Sequence, residues 1–164
     1  MKLLIAIICL LIFPVKAKAS TIPELIEKTT LYLIKTWDAD KNLKDWYPPQ
    51  VITVPSGTRV FGGGCEGSNE GFDVAGSYYC SPDHTIILDP TQLETFINAF
   101  GNSSVAYVVA HEFAHALQNA LEIRLKAPNH ELQADCLAGY FIQKGNKELK
   151  ITRQDILEMS SVAY

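Results

Sequence analysis

Val108-Val109-Ala110-His111-Glu112-Phe113-Ala114-His115-Ala116-Leu117 is the stretch on which the reading of this chain turns. It carries the spacing H-E-x-x-H inside a run, Val105 to Leu121, that contains neither Pro nor Gly, and it predicts a helix. On a helix His111 and His115 lie one turn apart on the same face and can offer both imidazoles to one metal ion. Glu112 is turned about 100° from His111, where its carboxylate can act as a base on water at that metal. With 4 His in 164 residues, chance supplies about 0.006 such matches. The bland alternative is a surface helix with two ordinary histidines. Val108, Val109, Ala110, Ala114 and Leu117 argue instead for a buried helix, and buried imidazoles need partners.

Zinc in a hydrolase takes three protein ligands and leaves a position for water. Three residues are candidates for the third ligand: Glu131, its neighbour His130, and Glu122. A longer motif with histidine at position 121 and glycine at 118 is excluded, because these are Leu121 and Gln118. Glu131 has a further argument. Asp135 follows by one helical turn, so one carboxylate can bind metal while the other accepts the outer N–H of a ligating histidine.

The N-terminus has a different character. Lys2 precedes eleven apolar residues, Leu3 to Phe13, then Pro14 and the small-x-small triplet Ala17-Lys18-Ala19. This pattern predicts a signal peptide over residues 1–19, cut before Ser20, and a secreted or periplasmic protein. A helix of that length spans about 16 Å, too short for a bilayer core of about 30 Å, so no stable membrane anchor is expected after cleavage. Removing 1–19 leaves 11 basic against 18 acidic side chains, a net charge of −7. No basic patch points to nucleic acid. In an oxidising compartment Cys65 and Cys80, which bracket a Gly-rich loop, are the natural disulfide pair. Closing that loop contributes about 3 kcal/mol. Cys136 reads as a buried thiol in an apolar helix.

The rest of the chain, 20–164, reads as one α+β domain. Thr21-Ile22-Pro23-Glu24 has the form of a capping box opening a helix to about Trp37, with Leu25, Ile26, Leu31, Leu33 and Ile34 expected inside. Val51 to Val54 predicts a strand, and residues 56–77 an irregular loop. Ser77-Tyr78-Tyr79 and Thr85-Ile86-Ile87-Leu88 are β-prone, with a turn at Ser81-Pro82-Asp83-His84. A short helix over Thr91–Phe100 ends at Gly101. Ser103 or Ser104 is expected to cap the H-E-x-x-H helix. Asn129 is expected to cap a helix running to Lys144, and Thr152-Arg153-Gln154-Asp155 opens a last one. The expected architecture is helices on a small antiparallel sheet, with the H-E-x-x-H helix central.

Three stretches resemble the putative neutral zinc metallopeptidases of bacteria. They are Val108 to Gln118, Glu131-Leu132-Gln133-Ala134-Asp135-Cys136-Leu137-Ala138-Gly139, and Cys65 followed by Tyr79-Cys80-Ser81-Pro82-Asp83 and Leu88-Asp89. The resemblance implies a zincin-like fold, one Zn2+ per chain held by His111, His115 and Glu131, and Glu112 as general base. It also implies a peptide or protein substrate, pairing along the strand Thr85–Leu88 as along a sheet edge. Members of that family continue past the position of Tyr164 with a later histidine-containing segment, so the domain reads as short at its C-terminus. His84, Tyr140 and Arg153 are then the candidates for stabilising the oxyanion. The expected activity is an exported zinc endopeptidase. The alternative is a zinc-binding domain of weakened catalysis that binds an envelope protein.

Overall fold

The computed structural model describes residues 20–43, 46–60 and 71–160. The expected signal peptide and Cys65 lie outside the described residues, and the expected disulfide with them. Helix α1 spans Ile22–Asp38. The Glu24 carboxylate accepts the Thr21 N–H at 2.7 Å, as the capping pattern predicts. Tyr32, Leu33 and Trp37 are buried on its inner face, whereas Leu31 is 59% exposed, contrary to expectation. Leu31 lies on the far side of the helix, about half a turn from the centre of the stripe that faces the core.

Three strands form the sheet: β1 (Gln50–Thr53), β4 (Tyr78–Cys80) and β5 (Thr85–Leu88). Their order is β1-β5-β4, with β5 parallel to β1 and antiparallel to β4. The sheet is therefore mixed, not antiparallel. Between β1 and β5 the chain makes a long excursion that includes β2 (Arg59–Val60) and β3 (Phe72–Asp73), which pair with each other where only an irregular loop was expected. That excursion lets β1 and β5 run in the same direction. It also makes β5 the central strand, buried at all four positions, so the expected edge role of Thr85–Leu88 falls to β4.

Helix α2 (Pro90–Phe100) ends at Gly101, whose φ of 80° suits glycine. Helix α3 (Ser103–Ala120) carries the H-E-x-x-H spacing. Its N-cap is Asn102, so Ser103 and Ser104 lie inside the helix, and the Ser104 hydroxyl donates to the Gly101 carbonyl at 2.7 Å. Helices α4 (Asn129–Lys144), α5 (Asn146–Leu149) and α6 (Arg153–Met159) complete the chain. Pro128, not Asn129, precedes α4, and α5 was not anticipated.

Helix α3 is the centre of the molecule, packed against α1, α2, α4, α6 and the sheet. Phe113, one of the two unspecified residues of the motif, is fully buried. Its ring meets Trp37 edge-on at 5.4 Å, and Trp37 also meets Trp46 at 5.0 Å and Phe141 at 5.5 Å. This cluster joins α1, α3 and α4 and sets the rotation of α3 about its axis. Close approach continues at Gly145, where a Cβ would lie 2.3 Å from the Tyr32 ring. The Tyr32 hydroxyl donates to the Phe141 carbonyl at 2.8 Å. Cys136 is exposed on α4, not buried.

Asp89 joins the end of β5 to α2. Its carboxylate accepts the N–H of Thr91 at 2.9 Å and of Ser56 at 3.0 Å, together with the Ser56 hydroxyl. Burial alone would raise this carboxyl, but the Ser56 and Thr91 hydrogen bonds outweigh it and hold it below its ordinary value. Its stabilisation is therefore present above the ordinary aspartate range near pH 4 and is lost as pH falls through the folded value. Asp89→Ala is expected to lower stability by about 2 kcal/mol at pH 7 in urea unfolding. The gap to wild type should narrow toward pH 2–3; an unchanged gap would show that packing, not the ionised carboxylate, does the holding.

Candidate metal centre and its cleft

His111 and His115 project from one face of α3 toward the start of α4, as their spacing predicts. The three ligand atoms that come together are His111 Nε2, His115 Nε2 and Glu131 Oε2. The two nitrogens are 3.0 Å apart, and Glu131 Oε2 lies 3.3 Å from His111 and 3.2 Å from His115. Among the described residues this is the group of His, Cys, Asp and Glu side chains that could hold a metal ion. Tetrahedral zinc, with bonds of about 2.0–2.1 Å to nitrogen and oxygen, needs ligand atoms about 3.3 Å apart. The triangle fits that requirement.

Each histidine has its outer nitrogen fixed. His111 Nδ1 lies 2.8 Å from Asp135 Oδ1, and the Tyr107 hydroxyl donates to the same oxygen at 2.5 Å. A carboxylate only accepts, so His111 carries its proton on Nδ1 and turns the Nε2 lone pair into the site. The hydroxyl of Tyr107 is held protonated: burial and then the Asp135 carboxylate raise it well above its ordinary value. His115 Nδ1 lies 2.8 Å from Gln118 Oε1. The Gln118 amide nitrogen donates to the His130 carbonyl at 2.8 Å and to Gln133 Oε1 at 3.0 Å. Those acceptors leave its oxygen for the His115 N–H, so His115 too presents a bare Nε2. Burial lowers the His115 imidazole below its ordinary value, which keeps that lone pair available at neutral pH.

Two nitrogen lone pairs and a carboxylate within hydrogen-bond distance of one another repel unless a cation lies among them. Burial would raise the Glu131 carboxyl, but the neighbouring His115, His130 and His111 outweigh it and hold it low. His130, the second candidate ligand, does not join the triangle. Its ring stacks on His115 at 4.7 Å, and its Nδ1 meets the other oxygen of Glu131 at 3.5 Å. Glu122 lies in the turn after α3, with φ of 54°, and does not line the cleft.

Glu112 is 6% exposed yet reaches the cleft beside both histidines. Burial, then the Glu131 charge, pushes its carboxyl up to about 8, against the backbone N–H of Tyr79, which favours the ionised form. A cation at the triangle would draw it down again. The cleft encloses about 890 Å³. Edge strand β4 forms one wall through Tyr78 and Tyr79, and Asn119 and His130 contribute beside the triangle. None of the three expected oxyanion donors lines it. His84 is engaged by the Tyr79 hydroxyl at 2.7 Å and the Tyr47 carbonyl at 2.8 Å, while Tyr140 and Arg153 are exposed elsewhere.

Two imidazoles and a carboxylate brought together on two packed helices are a donor set that suits zinc, with the Glu112 carboxyl beside them. Residues 58–130 match the family described as putative neutral zinc metallopeptidase. The match includes His111, Glu112 and His115 and stops one residue short of Glu131. The uncharacterized protein YpfJ of Escherichia coli K12 is 28% identical over 125 residues, covering 63% of this chain and 42% of YpfJ. The uncharacterized protein Rv2575 of Mycobacterium tuberculosis H37Rv is 35% identical over 79 residues, 39% of this chain and 27% of that protein. The chain thus spans less than half the length of either relative. No solved structure matches it.

Gln118 and Tyr107 were not singled out from the sequence, although helical spacing holds the signal. Tyr107 lies four residues before His111 and Gln118 three after His115, each on the ligand face. Asp135→Ala and Gln118→Leu are each expected to weaken zinc binding about 10–100-fold while leaving the stoichiometry at one. Competition against a chromophoric chelator measures this. Unchanged affinity in both variants would show that the outer hydrogen bonds do not orient the imidazoles.

Proposed function

We propose that this chain is an exported zinc-dependent peptidase of zincin-like fold, with His111, His115 and Glu131 holding one Zn2+ and Glu112 as the general base. The observation that carries the proposal is the triangle of Nε2, Nε2 and Oε2 atoms 3.0–3.3 Å apart, with the Glu112 carboxylate beside it. When bound, zinc supplies a Lewis acid that polarises the scissile carbonyl and makes water nucleophilic near neutral pH. Glu112 takes the proton of the attacking water and hands it to the leaving amine. Asp135 and Gln118 keep both imidazoles in the ligating tautomer. Among the described residues β4 is an edge strand of the sheet, and an extended peptide would lie along it with the scissile bond over Glu112.

Secretion or a periplasmic location, cleavage of residues 1–19 and a Cys65–Cys80 disulfide belong to the same proposal, and the sequence supports them. Cys80 is buried at the end of β4, the strand forming the cleft wall. A second proposal, a zinc-binding module that captures a protein without cutting it, draws on the placement of His84, Tyr140 and Arg153 away from the cleft. Chelator-sensitive cleavage of an unfolded protein such as casein decides between the two.

Metal analysis of the purified protein should find one zinc per chain, and His115→Ala should lose it. Equal metal content in both would overturn the site. Glu112→Gln should keep zinc and lose cleavage by about 10²–10⁴-fold. A buried carboxyl raised to about 8 is protonated when folded and ionised when unfolded, so in the metal-free protein it costs stability as pH rises from about 4.5 to 8. Metal-free Glu112→Gln should therefore melt above wild type at pH 7.5 and no higher at pH 4.5. A variant that cleaves as fast as wild type shows that Glu112 is not the base.

A further inference from the structure

The cleft also carries charge that bond hydrolysis does not use. After α3 the chain turns at Glu122 and runs through Ile123-Arg124-Leu125-Lys126, and all four residues line the same cleft as His111 and Glu112. Both ends of this segment are tied down. The Ile123 N–H donates to the Gln118 carbonyl at 2.8 Å, and the Lys126 carbonyl accepts the His130 N–H at 3.2 Å. The Gln118 side chain holds the His130 carbonyl from within. The segment is thus anchored to the residue that orients His115.

Arg124 and Lys126 are both exposed, and among the described residues no carboxylate pairs with either. The carboxylates that face the same cleft are Glu112 and Glu131. One is buried beside the triangle and the other is part of it, and a divalent cation there would neutralise what charge they bring. Arg124 and Lys126 are then the charged side chains that remain uncompensated among those lining the cleft. Ile123 and Leu125 alternate with the two cations and supply apolar contact between them.

We propose that Arg124 and Lys126 form a carboxylate subsite, so that the cleft selects peptides bearing an acidic group within a few residues of the bond that is cut. This deepens the peptidase proposal and rests on it. A peptide extended along β4 advances about 3.3 Å per residue, and Arg124 and Lys126 line the same cleft as Tyr78 and Tyr79 of β4. An acidic side chain and a free C-terminal carboxylate offer the same chemistry.

The test uses zinc-loaded Glu112→Gln protein and fluorescent peptides that differ only in Glu, Gln or Lys at each of three positions on either side of the central bond. Each peptide is made with a free and an amidated C-terminus. Anisotropy at low salt should show the Glu peptide bound about three- to tenfold tighter than the Lys peptide, with the difference shrinking at about 300 mM salt. Arg124→Glu/Lys126→Glu, with its zinc content unchanged, should reverse the order. A preference that needs the free terminus assigns the subsite to the chain end; one that survives amidation assigns it to a side chain. Equal affinities, no binding of any peptide, or a preference that persists in the double variant would overturn the subsite. Wild-type cleavage rates separate the two proposals. Charge-selective binding without cleavage removes the peptidase reading and leaves the subsite, whereas cleavage indifferent to charge does the reverse.

Discussion

Helix α3 is enclosed by four helices and the sheet, and that enclosure is the constraint from which the site follows. A polar side chain on such a helix has to find a partner or carry an unpaired group in a dry interior. The outer nitrogen of His111 finds Asp135, that of His115 finds Gln118, and Gln118 finds α4 through His130 and Gln133. What remains unpaired by protein hydrogen is the inner nitrogen of each imidazole, and both point to the oxygen of Glu131. The same pairing that makes burial of the helix tolerable therefore defines the ligand triangle.

The aromatic contacts have a matching role on the other side of the helix. Phe113 lies between the two histidines in sequence but points away from them, into Trp37 and the core. Its burial fixes the rotation of α3, and Trp37 carries that constraint to Phe141 on α4. The two helices that contribute ligands are consequently held by one cluster, which limits how far Glu131 can drift from the histidines. Metal-ligand geometry tolerates only errors well under an ångström, so a rigid frame of this kind matters more than the exposed position of Glu131 itself.

Local chemistry was legible in the sequence and long-range placement was not. The capping box at Thr21–Glu24, the Asp89-Pro90 junction, Gly101 and the spacings of His111, His115, Glu131 and Asp135 are all short-range patterns, and each led to the element or grouping found. Strand order depends on contacts between residues far apart, and nothing in Thr85–Leu88 says that β1 will pair beside it in parallel. The edge was accordingly assigned to the wrong strand. Cys136 and Leu31 failed for a related reason: a helix's apolar composition does not say which arc faces the core, and both lie off it. His84 shows a third limit. A histidine near the motif in space was anticipated, but its two nitrogens are already spent on Tyr79 and Tyr47.

The electrostatics of the cleft tie these parts together. The folded chain holds His115 neutral and Glu131 ionised, and it buries Glu112 where ionisation is unfavourable. In the bare protein the lone pairs of His111 and His115 face the Glu131 carboxylate and Glu112 is costly to ionise, and one cation at the triangle would relieve both: the lone pairs would gain a partner and the Glu112 carboxylate would become easier to form. A ligand that relieves several native-state costs at once stabilises the fold as it binds. Glu112 and the triangle are thereby coupled, since Glu112 would be most readily ionised with a cation in place.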